Sequence, residues 1–159
     1  MQLSRRFPVA LQMLIIMDWA GDKAKITSEI LALSVNTNPV LIRRIMTTLK
    51  KAGLITVAAG TGGAKLALPA TAITLLDVYR AVELTANDTL FGLHPAPNTH
   101  CPIGSRINKV LAPHLENARH ALESSLGGVS VAELTRQFPE FKPALARAVQ
   151  ERMAQPRDE

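Results

Sequence analysis

Two places in the sequence bring together residue types able to do chemistry. The first is Asn36-Thr37-Asn38-Pro39 followed by the adjacent pair Arg43-Arg44. Amide and hydroxyl side chains hydrogen-bond base edges, and guanidinium groups grip phosphates or fork onto guanine, so this run at the start of a helix is equipped to enter a major groove. No carboxylate is expected to oppose the two arginines. The second place is Cys101, the only cysteine, flanked by His100 and Pro102. A thiol at a helix start, where the positive end of the dipole favours thiolate, has redox or electrophile chemistry open to it; a buried inert thiol is the bland alternative. His94, His100 and Cys101, with His114 or His120 of the partner subunit, match no standard metal-ligand spacing, so neither a metal nor a cofactor is expected. A thiol enzyme is not expected either, because no oxyanion donors or orienting carboxylate can be placed around Cys101.

The elements that must position the first group are legible. Asn36, Thr37 and Asn38 can each accept a backbone N–H, and Pro39 then falls at the first helical position, where its missing N–H costs nothing. From about Pro39, Ile42, Ile45, Met46 and Leu49 recur at steps of three and four and must face other helices. Arg43, Arg44, Thr47, Thr48, Lys50 and Lys51 occupy the opposite face, and Gly53 supplies the stop after Ala52. Before this helix, Thr27 caps a short helix from Ser28 to Leu33, with small Ala32 near the crossing, and Ser34 to Thr37 make the turn. Two short helices so joined, the second basic, are a helix-turn-helix. Leu54 to Ala58, a glycine turn and Ala64 to Leu68 then read as a hairpin wing ended by Pro69. The expected DNA-facing set is Thr27, Ser28, Asn36, Thr37, Asn38, Pro39, Arg43, Arg44, Thr47 and, in the wing, Lys65. A phosphate-binding loop is disfavoured, because the glycines lead into a strand and not a helix.

Charge agrees with that placement. The net charge is +5, and residues 1 to 51 alone hold eight Lys/Arg against three Asp/Glu. A basic excess confined to the helical N-terminal third points to a polyanion-facing surface. Aromatic residues make up only 4%, too few for the stacking platforms of single-strand or RNA binders, so duplex DNA is the favoured partner. With 47% hydrophobic side chains in 159 residues the chain can bury one sizeable core plus an appendage. One cysteine fits a reducing compartment, and the cytoplasm is expected. The apolar run from Val9 to Met17 is too short to span a bilayer and lacks a small-residue cleavage site, so no membrane association is expected; it reads as the centre of a buried helix from about Ser4, its candidate cap, to Ala20.

Further along, Thr74-x-x-Asp77 starts a helix through about Glu83, and residues 85–102 are irregular. From Ile103 a narrow apolar stripe, including Ile107, Val110, Leu111, Leu115 and Leu122, runs to Gly127-Gly128. No other stretch of similar length can cover it, so it is expected to pair with the same helix of a second subunit, with Pro113 bending it. Ser130-x-x-Glu133 caps a short helix to about Gln137, and residues 144–153 look helical. The domains expected are 1–84, a winged helix-turn-helix; 85–102, a loop carrying Cys101; 103–137, a dimerisation helix with a short following helix; and 138–159, an extension.

The order of elements and particular strings together resemble the Rrf-two family of bacterial winged-helix transcription regulators over about residues 1 to 137. The carriers are ILALSVNTNPVLIRRIMTTLKKAGLI, the wing with Gly62-Gly63, ITLLDVYRAVE at 73–83, and Cys101-Pro102-Ile103-Gly104. The resemblance implies a mainly α protein with a small β-hairpin wing and a long dimerisation helix, acting as a homodimer on a palindromic operator, usually as a repressor. Cluster-binding members have three cysteines where this chain has Cys101 alone, so it is most similar to a branch without an iron–sulfur site. Ala58, Ala59 and Ala64 stand where family wings carry arginine and an aromatic, which weakens the wing as a DNA contact.

The expected function is thus a dimeric DNA-binding repressor responsive to a small oxidant or electrophile through Cys101. One alternative is the same DNA binder controlled by a non-covalent ligand or a partner protein; another is a dimeric interaction module without DNA binding.

Overall fold

The computed structural model describes residues 5–21, 24–58, 63–83 and 91–138. Its first helix, α1 (Arg6–Ala20), is apolar on nearly every side, and such a helix belongs in the middle of a protein. Ala10, Met13, Leu14, Ile16, Met17 and Ala20 are all buried. Gln12, polar and in the middle of the helix, is satisfied by donating to the Ser34 carbonyl at 2.9 Å. Arg5 holds the N-cap position without a side-chain cap, and Ser4 lies outside the described residues.

Helix α2 (Ser28–Val35) runs past the expected end at Leu33 and takes in Ser34 and Val35, so the tight turn to α3 (Pro39–Lys51) is shorter than expected and begins at Asn36. The Thr27 hydroxyl caps α2 by accepting from the Ile30 N–H. Asn36 adopts the left-handed conformation at φ 55°, which asparagine tolerates better than most residues. Asn38 then caps α3, its Oδ1 accepting from the Val40 N–H at 2.7 Å, and Pro39 opens the helix. Ile42, Ile45, Met46 and Leu49 are buried as their spacing requires.

Strands β1 (Ile55–Val57) and β2 (Ala64–Leu66) pair antiparallel with Ile55 opposite Leu66. They are shorter than the sequence suggests, and residues 59–62 lie outside the described residues. Ile26 bridges to Ala64 on the other edge of β2, accepting its N–H at 2.8 Å. Gly63, at φ 74°, permits this approach: a side-chain carbon there would sit 3.0 Å from the Ile26 nitrogen.

Both capping boxes form, Thr74 with Asp77 ahead of α4 (Leu75–Val82) and Ser130 with Glu133 ahead of α6 (Val131–Thr135). The long helix α5 (Ile107–Gly127) lies between them, contains Pro113, and has no buried residue. It starts four positions after the expected Ile103, because residues 102–106 form successive turns before the helix. After α5 the chain returns to the winged unit. The Leu75 N–H donates to the Val129 carbonyl and the Val131 N–H to the Ile73 carbonyl, and Val131 is buried in the core with α1. The helix expected at residues 144–153 lies outside the described residues.

Candidate nucleic-acid interface

The outer face of α3 carries Arg43, Arg44, Thr47, Lys50 and Lys51, all exposed. The Thr47 and Thr48 hydroxyls donate to the carbonyls of Arg43 and Arg44, one turn back, at 2.9 and 3.1 Å. Arg44 has no ion pair among the described residues. Arg43 does, and this corrects the expectation that no carboxylate opposes the arginines. Its Nη2 donates to Glu29 Oε1 at 2.7 Å and its Nε to Ser28 Oγ at 3.1 Å, while Ser28 Oγ donates to Glu29 at 2.9 Å. Glu29 is fourteen residues away in sequence and reaches Arg43 only because α2 crosses α3.

The Arg43 guanidinium, helped by a local backbone N–H, holds the Glu29 carboxyl at about 2 against an ordinary 4.5. With the folded value depressed, the pair's contribution is complete above the ordinary value and is lost as pH falls through about 2. NMR titration of the Glu29 side-chain carboxyl is expected to show that low midpoint, and Arg43→Ala should return it toward 4.5. A midpoint near 4.5 in the parent would show that the pair does not hold in solution.

The remaining expected contacts are placed as follows. Thr27 and Ser28 sit at the start of α2 with their hydroxyls engaged inside the protein. Asn36 and Asn38 are exposed, Thr37 and Pro39 half-buried, and Lys65 is exposed on β2 opposite Thr56. Val40, 51% exposed in the first turn of α3, escaped sequence reading, although its position off the apolar stripe marks it as outward-facing.

Cys101 is half-buried in a turn running from Asn98 into α5, and Arg106, not Cys101, holds the N-cap position of that helix. The expected cap role is therefore corrected. The Cys101 N–H donates to the Asn98 carbonyl and its own carbonyl accepts from the Ser105 N–H, so the Pro102 turn closes before the helix begins. Backbone N–H groups of Gly104 and Ile103 lower the thiol's pKa instead. Only glycine fits at 104, since a side-chain carbon there would lie 2.3 Å from the Asn98 oxygen.

A basic, solvent-facing helix behind a tight turn, followed by an antiparallel hairpin, defines a winged helix-turn-helix protein. The Rrf2 model, described as "Iron-dependent Transcriptional regulator", matches residues 3–137, and the chain belongs to that family. YwnA of Bacillus subtilis (strain 168), designated an HTH-type transcriptional regulator, is 43% identical over 110 residues, covering 69% of this chain and 81% of YwnA. A crystal structure designated a DNA-binding protein shares 36% identity at a TM-score of 0.65, covering 81% of this chain and 97% of its own. Another, designated a transcriptional regulator from Lactobacillus plantarum, shares 26% identity at a TM-score of 0.69, covering 92% and 97%. The protein is thus a DNA-binding transcriptional regulator and not an enzyme, and the family and fold read from the sequence are borne out.

The family description raises iron, and the residues described here do not fit it. Cys101 is the single thiol of the chain. Among the described residues no three His, Cys, Asp or Glu side chains come together as a metal site, and His94 Nδ1 accepts from the Ala96 N–H. Among the described residues, no helix is long and apolar enough to cross a membrane.

Proposed function

We propose that the protein is a cytoplasmic homodimeric repressor that reads a palindromic operator with α3 and is controlled through Cys101, in a branch of the family without an iron–sulfur cluster. The observation that carries the reading is the pairing of an outward cationic face on α3 with a 21-residue α5 that has no buried residue. The first is suited to duplex DNA and the second to a copy of itself, and together they set two reading helices on half-sites about one turn apart, roughly 34 Å. Thr27, Ser28, Asn36, Thr37, Asn38, Pro39, Arg43, Arg44, Thr47 and Lys65 form the DNA-facing set in this reading.

Cys101 lies in the connection between the two functions, with two backbone N–H groups favouring its thiolate. When the thiolate attacks a peroxide, the O–O bond breaks, hydroxide leaves, and the sulfur is oxidised to a sulfenic acid. Added polarity in this tight turn shifts the start of α5 and with it the spacing of the reading helices. A second reading, control by a non-covalent ligand or a partner protein with Cys101 structural, is favoured by the thiol's partial burial.

The experiment is footprinting on DNA upstream of the protein's own gene, before and after mild peroxide, with Cys101→Ser in parallel. Protection that peroxide removes from the parent but not from the serine variant is the expected result. Identical responses transfer control to the ligand or partner, and absence of any footprint removes autoregulation from the reading.

A further inference from the structure

We infer that Arg43, clamped by Ser28 and Glu29, is a guanine reader, and that Ser28 and Glu29 are positioning residues for specificity. The inference rests on the proposed DNA-reading role of α3 and names what that helix reads. A guanidinium carries five N–H donors arranged on a side edge, an end edge and one further position. The bonds to Ser28 Oγ and Glu29 Oε1 use Nε–H and one Nη2–H, which share the side edge. The end edge, one hydrogen on each terminal nitrogen, is left unused by these bonds. That fork matches the O6 and N7 acceptors of guanine in the major groove.

Two features separate base reading from phosphate gripping. Glu29 places a negative charge beside Arg43, and a phosphate approaching the same guanidinium would be repelled by it, whereas the neutral guanine edge would not. The clamp also restrains a long side chain before DNA arrives, so less rotamer freedom is lost on forming a directional contact. Arg44, next along the helix and without an ion pair among the described residues, has neither feature and suits a phosphate.

The test is selection of binding sites from random duplex DNA by the full-length parent, Arg43→Ala, Arg43→Lys, Glu29→Ala and Glu29→Gln, followed by affinities for the selected site with its guanine intact or changed to adenine. All substituted positions are exposed, and helical content by circular dichroism confirms folding. The parent is expected to select one guanine per half-site and to prefer it over adenine by roughly tenfold or more. Arg43→Ala and Arg43→Lys should both lose that preference, since lysine keeps the charge but not the fork. Glu29→Ala should reduce the preference while strengthening binding to unrelated DNA, and Glu29→Gln, which retains an acceptor oxygen, should restore part of it. A guanine preference that survives Arg43→Ala overturns the inference, as does one insensitive to Glu29→Ala. If the parent selects no sequence at all, the operator-reading role of α3 fails, and this inference with it.

Discussion

Leu111→Glu combined with Val110→Glu is expected to convert the proposed homodimer to monomer. In α5 the half-buried residues Asn108, Ala112, Leu115, Arg119, Leu122 and Leu126 recur at steps of three and four, marking the side turned toward the rest of its own chain. Glu123 on that side pairs with Arg80 of α4 at 3.1 Å, and Arg119 is bonded to Glu123 and Glu116. Val110 and Leu111 instead remain 57% and 39% exposed. Of the apolar stripe proposed as the dimer interface, these two are left uncovered within one subunit, as is Ile103 just ahead of the helix; Ile107, Leu115 and Leu122 are half-buried. Burying a leucine contributes roughly 2 kcal/mol, and in a two-fold interface each substitution counts twice. A carboxylate held out of water adds a further penalty. The dimer constant should therefore weaken by roughly a thousandfold or more, read by sedimentation at micromolar protein, and operator affinity should fall with it because two half-sites can no longer be held together. A dimer that persists unchanged would place the interface elsewhere than on this face.

Arg44→Ala is expected to give the next largest effect on DNA binding, with a signature in salt. An unpaired cation that neutralises one phosphate releases about one counterion, so its loss should flatten the dependence of log affinity on log salt by roughly one. Measured between about 50 and 200 mM salt, operator affinity should fall severalfold at the low end and less at the high end. Arg43→Ala should weaken operator binding by a comparable amount but flatten the slope much less, because Glu29 already offsets its charge across 2.7 Å. If both variants match the parent at every salt concentration, α3 is not the reading helix.

The parts of this protein legible in its sequence are those decided within a few residues. Asn38 before Pro39, Thr74 before Asp77 and Ser130 before Glu133 form their caps as read, because each bond closes within one turn and needs no distant partner. The buried stripe of α3 follows from period alone. The family was legible too, because its signature strings are contiguous.

What only the tertiary structure decided involves residues far apart in the chain. The Arg43 to Glu29 pair, the Ile26 to Ala64 bridge and the docking of Val131 beneath α1 depend on how helices and strands cross, and a one-dimensional pattern carries no crossing angle. Cys101 is the instructive case. Its Pro102 reads as a helix start, but the close approach of the Asn98 carbonyl to Gly104 closes a turn first, and the helix is postponed to Ile107. The local preference of proline for a first helical turn was real; a backbone contact six residues apart outweighed it.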